Sequence, residues 1–262
     1  MVEATRRPDV AKLLSKVPEV TVFFWIIKVL ATTVGETAAD FLGEHLNLSL
    51  TSVTCIMAVL LVAALVFQFR ARGYVPGIYW TAVVLISIVG TLITDNLVDN
   101  FGVSLKVTTA IFTVAMLATF AAWYSSEKTL SIHSIRTPKR EAFYWAAILF
   151  TFALGTAAGD LVAESLNLGY WKSALMFSAL IALVALAWRH LRLNPVLAFW
   201  IAYVLTRPLG ASLGDYLSQD RSAGGRGLGT VGTSAIFLVT ILAVVIYLTV
   251  TKKDQIVLAE VE

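Results

Sequence analysis

Four stretches decide the fold: FWIIKVLATTVGETAADFL (24–42), YWTAVVLISIVGTLITDNL (79–97), YWAAILFTFALGTAAGDLV (144–162) and FWIAYVLTRPLGASLGDYL (199–217). They align without gaps. An aromatic–Trp pair opens each, at Trp25, Trp80, Trp145 and Trp200. Ten residues on stands Gly35, Gly90, Gly155 or Gly210, and five further Asp40, Asp95, Asp160 or Asp215. Three positions held in all four copies mark an internal repeat, which sets the architecture of the chain.

Working outward, each copy lies in a long apolar block, and a second block follows it. The eight blocks are roughly Val20–Leu42, Leu50–Phe69, Ile78–Val98, Val107–Tyr124, Phe143–Val162, Tyr170–Trp188, Val196–Leu217 and Val231–Val250. A bilayer core about 30 Å thick takes about 20 apolar residues of helix. Of the 262 residues, 58% are hydrophobic and 14% charged, against about 25% charged in a soluble domain. The blocks are continuous and rich in Leu, Ala and Ile, which excludes the strict alternation of a membrane β-barrel. The expectation is an all-α integral membrane protein with eight transmembrane helices, arranged as four tandem two-helix repeats. No soluble domain is left over to host an active site. The first block recurs as a repeat unit deep in the chain, so it does not read as a cleaved signal peptide.

The repeat has a second level. Trp25 to Trp145 and Trp80 to Trp200 are both 120 residues apart. Glu44–Leu48 (EHLNL) is echoed by Glu164–Leu168 (ESLNL). The chain divides as a leader (1–21), a first half with repeats 1 and 2 (22–125), a polar linker (126–141), a second half with repeats 3 and 4 (142–251) and a tail (252–262). Two parallel four-helix halves related by an axis along the membrane normal are a known transporter plan.

Positive charge marks cytoplasmic loops. With eight spans both termini share a side, and fourteen of the 20 Lys and Arg residues fall there: Arg6, Arg7, Lys12, Lys16, Arg70, Arg72, Lys128, Arg136, Lys139, Arg140, Arg189, Arg192, Lys252 and Lys253. The opposite side holds Lys106, Lys172, Arg221 and Arg226. Both termini are therefore expected in the cytoplasm. The net charge of +3 follows from topology and points to no nucleic acid partner. The leader, with Val10, Leu13, Leu14 and Val17 at helical spacing, reads either as a membrane-surface segment or as a frayed terminus.

The pattern W-x(9)-G-x(4)-D in four copies resembles a family of bacterial inner-membrane proteins. That family is described as a repeat of unknown function in four tandem copies, each with two transmembrane segments and a characteristic tryptophan. The resemblance runs from about Phe23 to Val250. It implies the fold and a bacterial inner membrane, and it implies no activity.

Function must come from the residues. The even spans carry no acidic residue, whereas the odd spans carry Glu36, Asp40, Asp95, Asp160 and Asp215, with Glu44, Asp99, Glu164 and Asp220 just beyond. Ionisable groups in a bilayer are costly and face a bundle interior or a watery cavity. A cluster of these five carboxylates would bind a small cation such as Mg²⁺, Ca²⁺ or Mn²⁺, or relay protons. Hydroxyls at Thr32, Thr33, Thr37, Thr91, Thr94, Thr156 and Ser212 offer further ligands. Glu36 occurs in copy one alone and shares a helix face with Asp40. Arg207, beside Pro208 in mid-span, cannot stay unpaired and is expected to meet a carboxylate, on a helix kinked or broken by the proline. The alternative is structural: each Asp bonds a neighbouring helix, and Arg207 makes a structural pair.

Other features read blandly. The glycines are packing positions, the tryptophans interfacial anchors, Lys28 a snorkelling lysine and Cys55 a small packing residue. Gly210–Gly214 matches the G-x-S-x-G nucleophile pattern inside a membrane helix, where the repeat explains it better. No H-E-x-x-H or Walker motif is present, and no cofactor is expected. Gly224–Gly229 is a flexible loop, and the three histidines are scattered. The first expectation is a small-cation transporter, divalent or proton-coupled, with the lipid bilayer as surroundings and an oligomer possible. The alternative is a non-transporting sensor, scaffold or accessory subunit. An enzyme is not expected, for want of a nucleophile–base pair.

Overall fold

The structure is a computed structural model that describes residues 15–45 and 48–255, the side chains of residues 44 and 45 excepted. It is all helical, with no strand among the described residues. Eight long helices follow the eight apolar blocks: α1 (Val22–His45), α2 (Leu50–Arg70), α3 (Pro76–Asp95), α4 (Leu105–Glu127), α5 (Pro138–Asp160), α6 (Tyr170–His190), α7 (Pro195–Ser218) and α8 (Gly229–Thr251). All eight are long and apolar enough to cross a membrane. Local chemistry sets the ends. Pro76, Pro138 and Pro195 open α3, α5 and α7, where the missing N–H is no loss. Ser49, Ser104, Thr137 and Asn194 accept hydrogen bonds from first-turn amides of α2, α4, α5 and α7. Just past Asp95 and Asp160, α3 and α5 widen into single π-helical turns, Asn96–Asn100 and Leu161–Ser165.

The odd helices form the centre. In each of α1, α3, α5 and α7, 56% to 67% of the apolar window is buried inside the protein, against 17% to 22% in the even helices. α1 packs on α3, α3 on α5, α5 on α7, and α7 back on α1. Each even helix leans on the following odd helix: α2 on α3, α4 on α5, α6 on α7, and α8 on α1. The packed unit is thus offset by one helix from the repeat along the chain, since α1 barely touches α2. Contacts between the two halves are as extensive as those within them, and α8 closes the ring against α1.

The repeat glycines set the ring's radius. A Cβ on Gly35 would strike Ser87 of α3, one on Gly90 Phe152 of α5, one on Gly155 Arg207 of α7, and one on Gly210 Thr32 of α1. The residue struck always stands three places before the glycine of the next copy. The same contact, made four times around a closed circle, defines a quasi-fourfold axis.

At one end of that axis the aromatic–Trp pairs interlock. Phe24 meets Trp80 at 5.7 Å between ring centroids, Tyr79 meets Trp145 at 5.6 Å, Tyr144 meets Trp200 at 6.2 Å and Phe199 meets Trp25 at 5.7 Å. The Tyr79 and Tyr144 hydroxyls hydrogen-bond at 2.5 Å. The expectation of interfacial anchors is therefore corrected: Trp80, Trp145 and Trp200 are buried and Trp25 half-buried. A tryptophan ring buries a large apolar area, and here the neighbouring copy's aromatic covers it.

Part of the leader is also corrected. Val10, Leu13 and Leu14 lie outside the described residues, as do Leu46, Asn47 and the tail from residue 256. Ser15, Lys16 and Val17, however, are buried under the Trp end. The Lys16 Nζ donates to Glu141 Oε2 at 2.7 Å and to the Phe69 carbonyl at 2.8 Å. Gln68 Nε2 donates to the Lys16 carbonyl and to Glu141 Oε1, both at 3.2 Å. The Tyr74 hydroxyl donates to Asp254 Oδ2 at 2.5 Å. Burial holds both the Asp254 carboxyl and the Tyr74 phenol above their ordinary values. Residues 15–19 of the leader, the linker and residues 252–255 together cap the aromatic ring.

Candidate functional site

The ring interior is read along rows of residues four apart. Such rows run at about 26° to a helix axis, so tilted helices can follow them from end to end. On α1 the row is Phe24, Lys28, Thr32, Glu36, Asp40; on α3 Tyr79, Val83, Ser87, Thr91, Asp95, Asp99; on α5 Tyr144, Ile148, Phe152, Thr156, Asp160, Glu164; on α7 Phe199, Tyr203, Arg207, Ala211, Asp215, Gln219. Passing from the Trp end to the Asp end, the four rows change from aromatic to mixed to acidic.

At the acidic end lies a cavity of about 230 Å³. All five carboxylates singled out from the sequence line it: Glu36, Asp40, Asp95, Asp160 and Asp215. Asp99, Glu164, Thr94 and Gln219 join them. Asp99 and Glu164 follow Asp95 and Asp160 by four residues, a spacing legible in the sequence. Carboxylate oxygens of Glu36, Asp160 and Asp215 lie within 4.8 Å of one another. That is about twice the 2.3–2.6 Å calcium–oxygen distance, so the three can share one hard cation. Asp215 is only 6% exposed, yet among the described residues it has no hydrogen-bond donor and no ion-pair partner. A buried carboxylate without a partner is expensive.

Arg207 pairs with Glu36 of this cavity. Its guanidinium is fully buried. Nη1 donates to the Thr32 carbonyl at 3.0 Å; Nη2 donates to Glu36 Oε2 at 3.0 Å, to Thr156 Oγ1 at 2.8 Å and to Thr91 Oγ1. One side chain of α7 thus holds α1, α3 and α5. Of the expected hydroxyl ligands, Thr91 and Thr156 are engaged by Arg207 and Thr94 lines the cavity. Thr32, Thr33 and Thr37 donate to backbone carbonyls of their own helix. The Ser212 Oγ is buried without a partner among the described residues. The helix around Pro208 is continuous rather than broken, which leaves the proline as one tolerated inside a single span. The close packing of α7 on α5 and α1 keeps its backbone helical through the proline.

Lys28 is the residue that sequence reasoning misplaced. It is 1% exposed and does not snorkel. Its Nζ stands 4.2 Å from the Phe152 ring centroid and 4.3 Å from that of Tyr203. No described residue hydrogen-bonds it. Its place in the row of Thr32 and Glu36 was the signal, since that row faces the axis.

Comparison with known proteins fits this architecture. No curated protein and no solved structure matches the chain. A family pattern described as a repeat of unknown function matches residues 23–74, 78–129, 143–193 and 198–254, one match for each odd–even helix pair. The matches cover most of the sequence, and the chain belongs to this DUF347 family of tandem membrane repeats.

Proposed function

We propose that the protein is a transporter of a small cation, a divalent metal ion or a cation exchanged for protons. The observation that carries this reading is the trio Glu36, Asp160 and Asp215 converging in one acidic cavity, with Asp215 buried and without a donor among the described residues. Asp40 and Asp95 stand in the same cavity and would draw cations toward the trio. No covalent chemistry is assigned to the site.

The setting proposed is a bacterial inner membrane with both termini cytoplasmic, supported by the bias of Lys and Arg toward the terminal side. The aromatic ring then lies on the cytoplasmic side, and the acidic cavity faces outward. In a Cys55→Ala background, cysteine placed at Asn167 is expected to react with an impermeant maleimide on intact cells. Reaction only after permeabilisation would reverse the orientation.

The transport test is flux in proteoliposomes. Mn²⁺ entry, read by quenching of a trapped dye, is expected above the level of empty vesicles. Protons and metal compete for the same oxygens, so the apparent affinity should fall as pH falls. Flux equal to empty vesicles for both divalent and monovalent ions would exclude transport. It would leave the second reading, a non-transporting sensor, scaffold or accessory subunit, which draws on Arg207 tying all four inner helices together.

A further inference from the structure

Next to the acidic cavity, one turn or two from its Asp residues on the same rows, four oxygens from three helices converge: the Thr32 carbonyl, a Glu36 carboxylate oxygen and the Thr91 and Thr156 hydroxyls. Carbonyl, carboxylate and hydroxyl oxygens make the ligand set of a hard cation. In this structure they surround a guanidinium. We propose that Arg207 is a tethered cation holding this inner subsite, and that an entering divalent ion must exchange with it at Glu36, which makes Arg207 the residue that rejects monovalent ions. The inference rests on the cation-site reading above.

Three observations support it. First, the charge is out of register with the repeat. The positions equivalent to Arg207 are Thr32, Ser87 and Phe152, and those equivalent to Glu36 are Thr91, Thr156 and Ala211. A symmetric structural tie would need neither a lone cation in one copy nor a lone carboxylate in another. Second, Glu36 belongs to two groups at once. It pairs with Arg207 at 3.0 Å, and its carboxylate also lies within 4.8 Å of those of Asp160 and Asp215. An ion that gathers all three carboxylates takes Glu36 from the guanidinium. Third, Lys28 stands behind. Its Nζ, with no hydrogen-bond partner among the described residues, sits on the row of Thr32 and Glu36 against Phe152 and Tyr203. The Lys28 side chain, packed against the same Phe152 ring as Arg207, fills the space behind it and blocks the retreat of Arg207 along the axis.

Selectivity follows from charge. Displacing a guanidinium from a carboxylate gives up one favourable unit-charge interaction. A monovalent ion must offset that loss, and the cost of leaving water, with a single charge. A divalent ion gains about twice as much from the same three carboxylates.

The test is Mn²⁺ binding to the purified full-length chain in nanodiscs, read by loss of the free Mn²⁺ paramagnetic resonance signal, with excess K⁺ as competitor. Arg207→Gln is expected to bind Mn²⁺ at least about tenfold more tightly than the parent and to become sensitive to K⁺. In a Glu36→Gln background the same substitution should change affinity by less than about threefold, because the exchange partner is gone. The double variant also removes both partners of a buried pair, which spares the fold. If Arg207→Gln alone does not fold, Arg207→Lys is the substitute. The shorter side chain keeps the charge and reaches fewer of the acceptors, so a smaller gain is expected from it. A folded Arg207→Gln protein that binds Mn²⁺ no more tightly than the parent, or a gain that persists undiminished with Glu36→Gln, overturns the exchange. Asp215→Asn separates the two levels. Parent binding that depends on Asp215 but not on Arg207 sinks the exchange alone. Parent binding indifferent to Asp215, or no binding in any variant, sinks the cation site itself.

Discussion

Asp215→Asn is expected to lower cation flux by about a hundredfold or more and, at the same time, to raise the unfolding temperature. The two signs together are diagnostic. Asp215 faces the carboxylates of Glu36 and Asp160 within 4.8 Å and is 6% exposed, with no donor among the described residues to compensate it. Asparagine keeps the shape and removes one of three charges that would hold the ion. At the dielectric of a partly buried site a unit charge about 4 Å away interacts by several kcal/mol, enough for two orders of magnitude in affinity. The same substitution relieves like-charge crowding in the empty protein, so the fold should gain stability where function is lost. Flux in proteoliposomes and thermal unfolding in detergent measure the two effects. A structural Asp215 would give the reverse pattern, lower stability with flux retained among folded molecules. Asp160→Asn should behave likewise.

The second large effect is steric. Alanine at Gly35, Gly90 or Gly210 is expected to destabilise the bundle by about 1–3 kcal/mol each, and valine to prevent assembly of the ring. The added Cβ would come to 2.6 Å from Ser87 Cβ, 2.7 Å from Phe152 Cβ and 2.5 Å from Thr32 Cβ, in each case with backbone of the next inner helix close behind. Backbone cannot step aside as a side chain can, so two inner helices must separate. Gly232 in α8 is the control. Nothing lies within 4 Å of a Cβ there, and alanine should be neutral or slightly stabilising through its better helix propensity. Thermal unfolding and size-exclusion chromatography of the set read the result. Equal tolerance at Gly90 and Gly232 would contradict a ring radius set by the repeat glycines.

Much of the candidate site could be read from the residues because lipid punishes exposed charge. Placing Glu36, Asp40, Asp95, Asp160 and Asp215 only on odd spans already requires those spans to face inward, and all five line one cavity. Arg207 was expected to meet a carboxylate, and it meets Glu36. What stayed hidden was Lys28. Near a span end a lysine can either reach water or turn inward, and its own helix does not say which. Phe152 and Tyr203, which receive it, come from two other helices.

Lengths, repeat and polarity belong to the chain alone. The thickness of a hydrocarbon layer sets how many apolar residues make a span, and a duplicated motif repeats its glycine and aspartate wherever it is copied. Tertiary structure decided everything that depends on which helix is next to which. In lipid, core-facing and lipid-facing surfaces are equally apolar, so the usual amphipathic signal that marks a buried face is absent. Hence the offset of each even helix onto the following repeat, the closure of α8 on α1 and the interlocking of each aromatic with the next tryptophan appear only once the helices are packed. The same holds for the centre. Arg207 and Glu36 are 171 residues apart, and their meeting is set by four glycine contacts that draw the inner helices onto one axis.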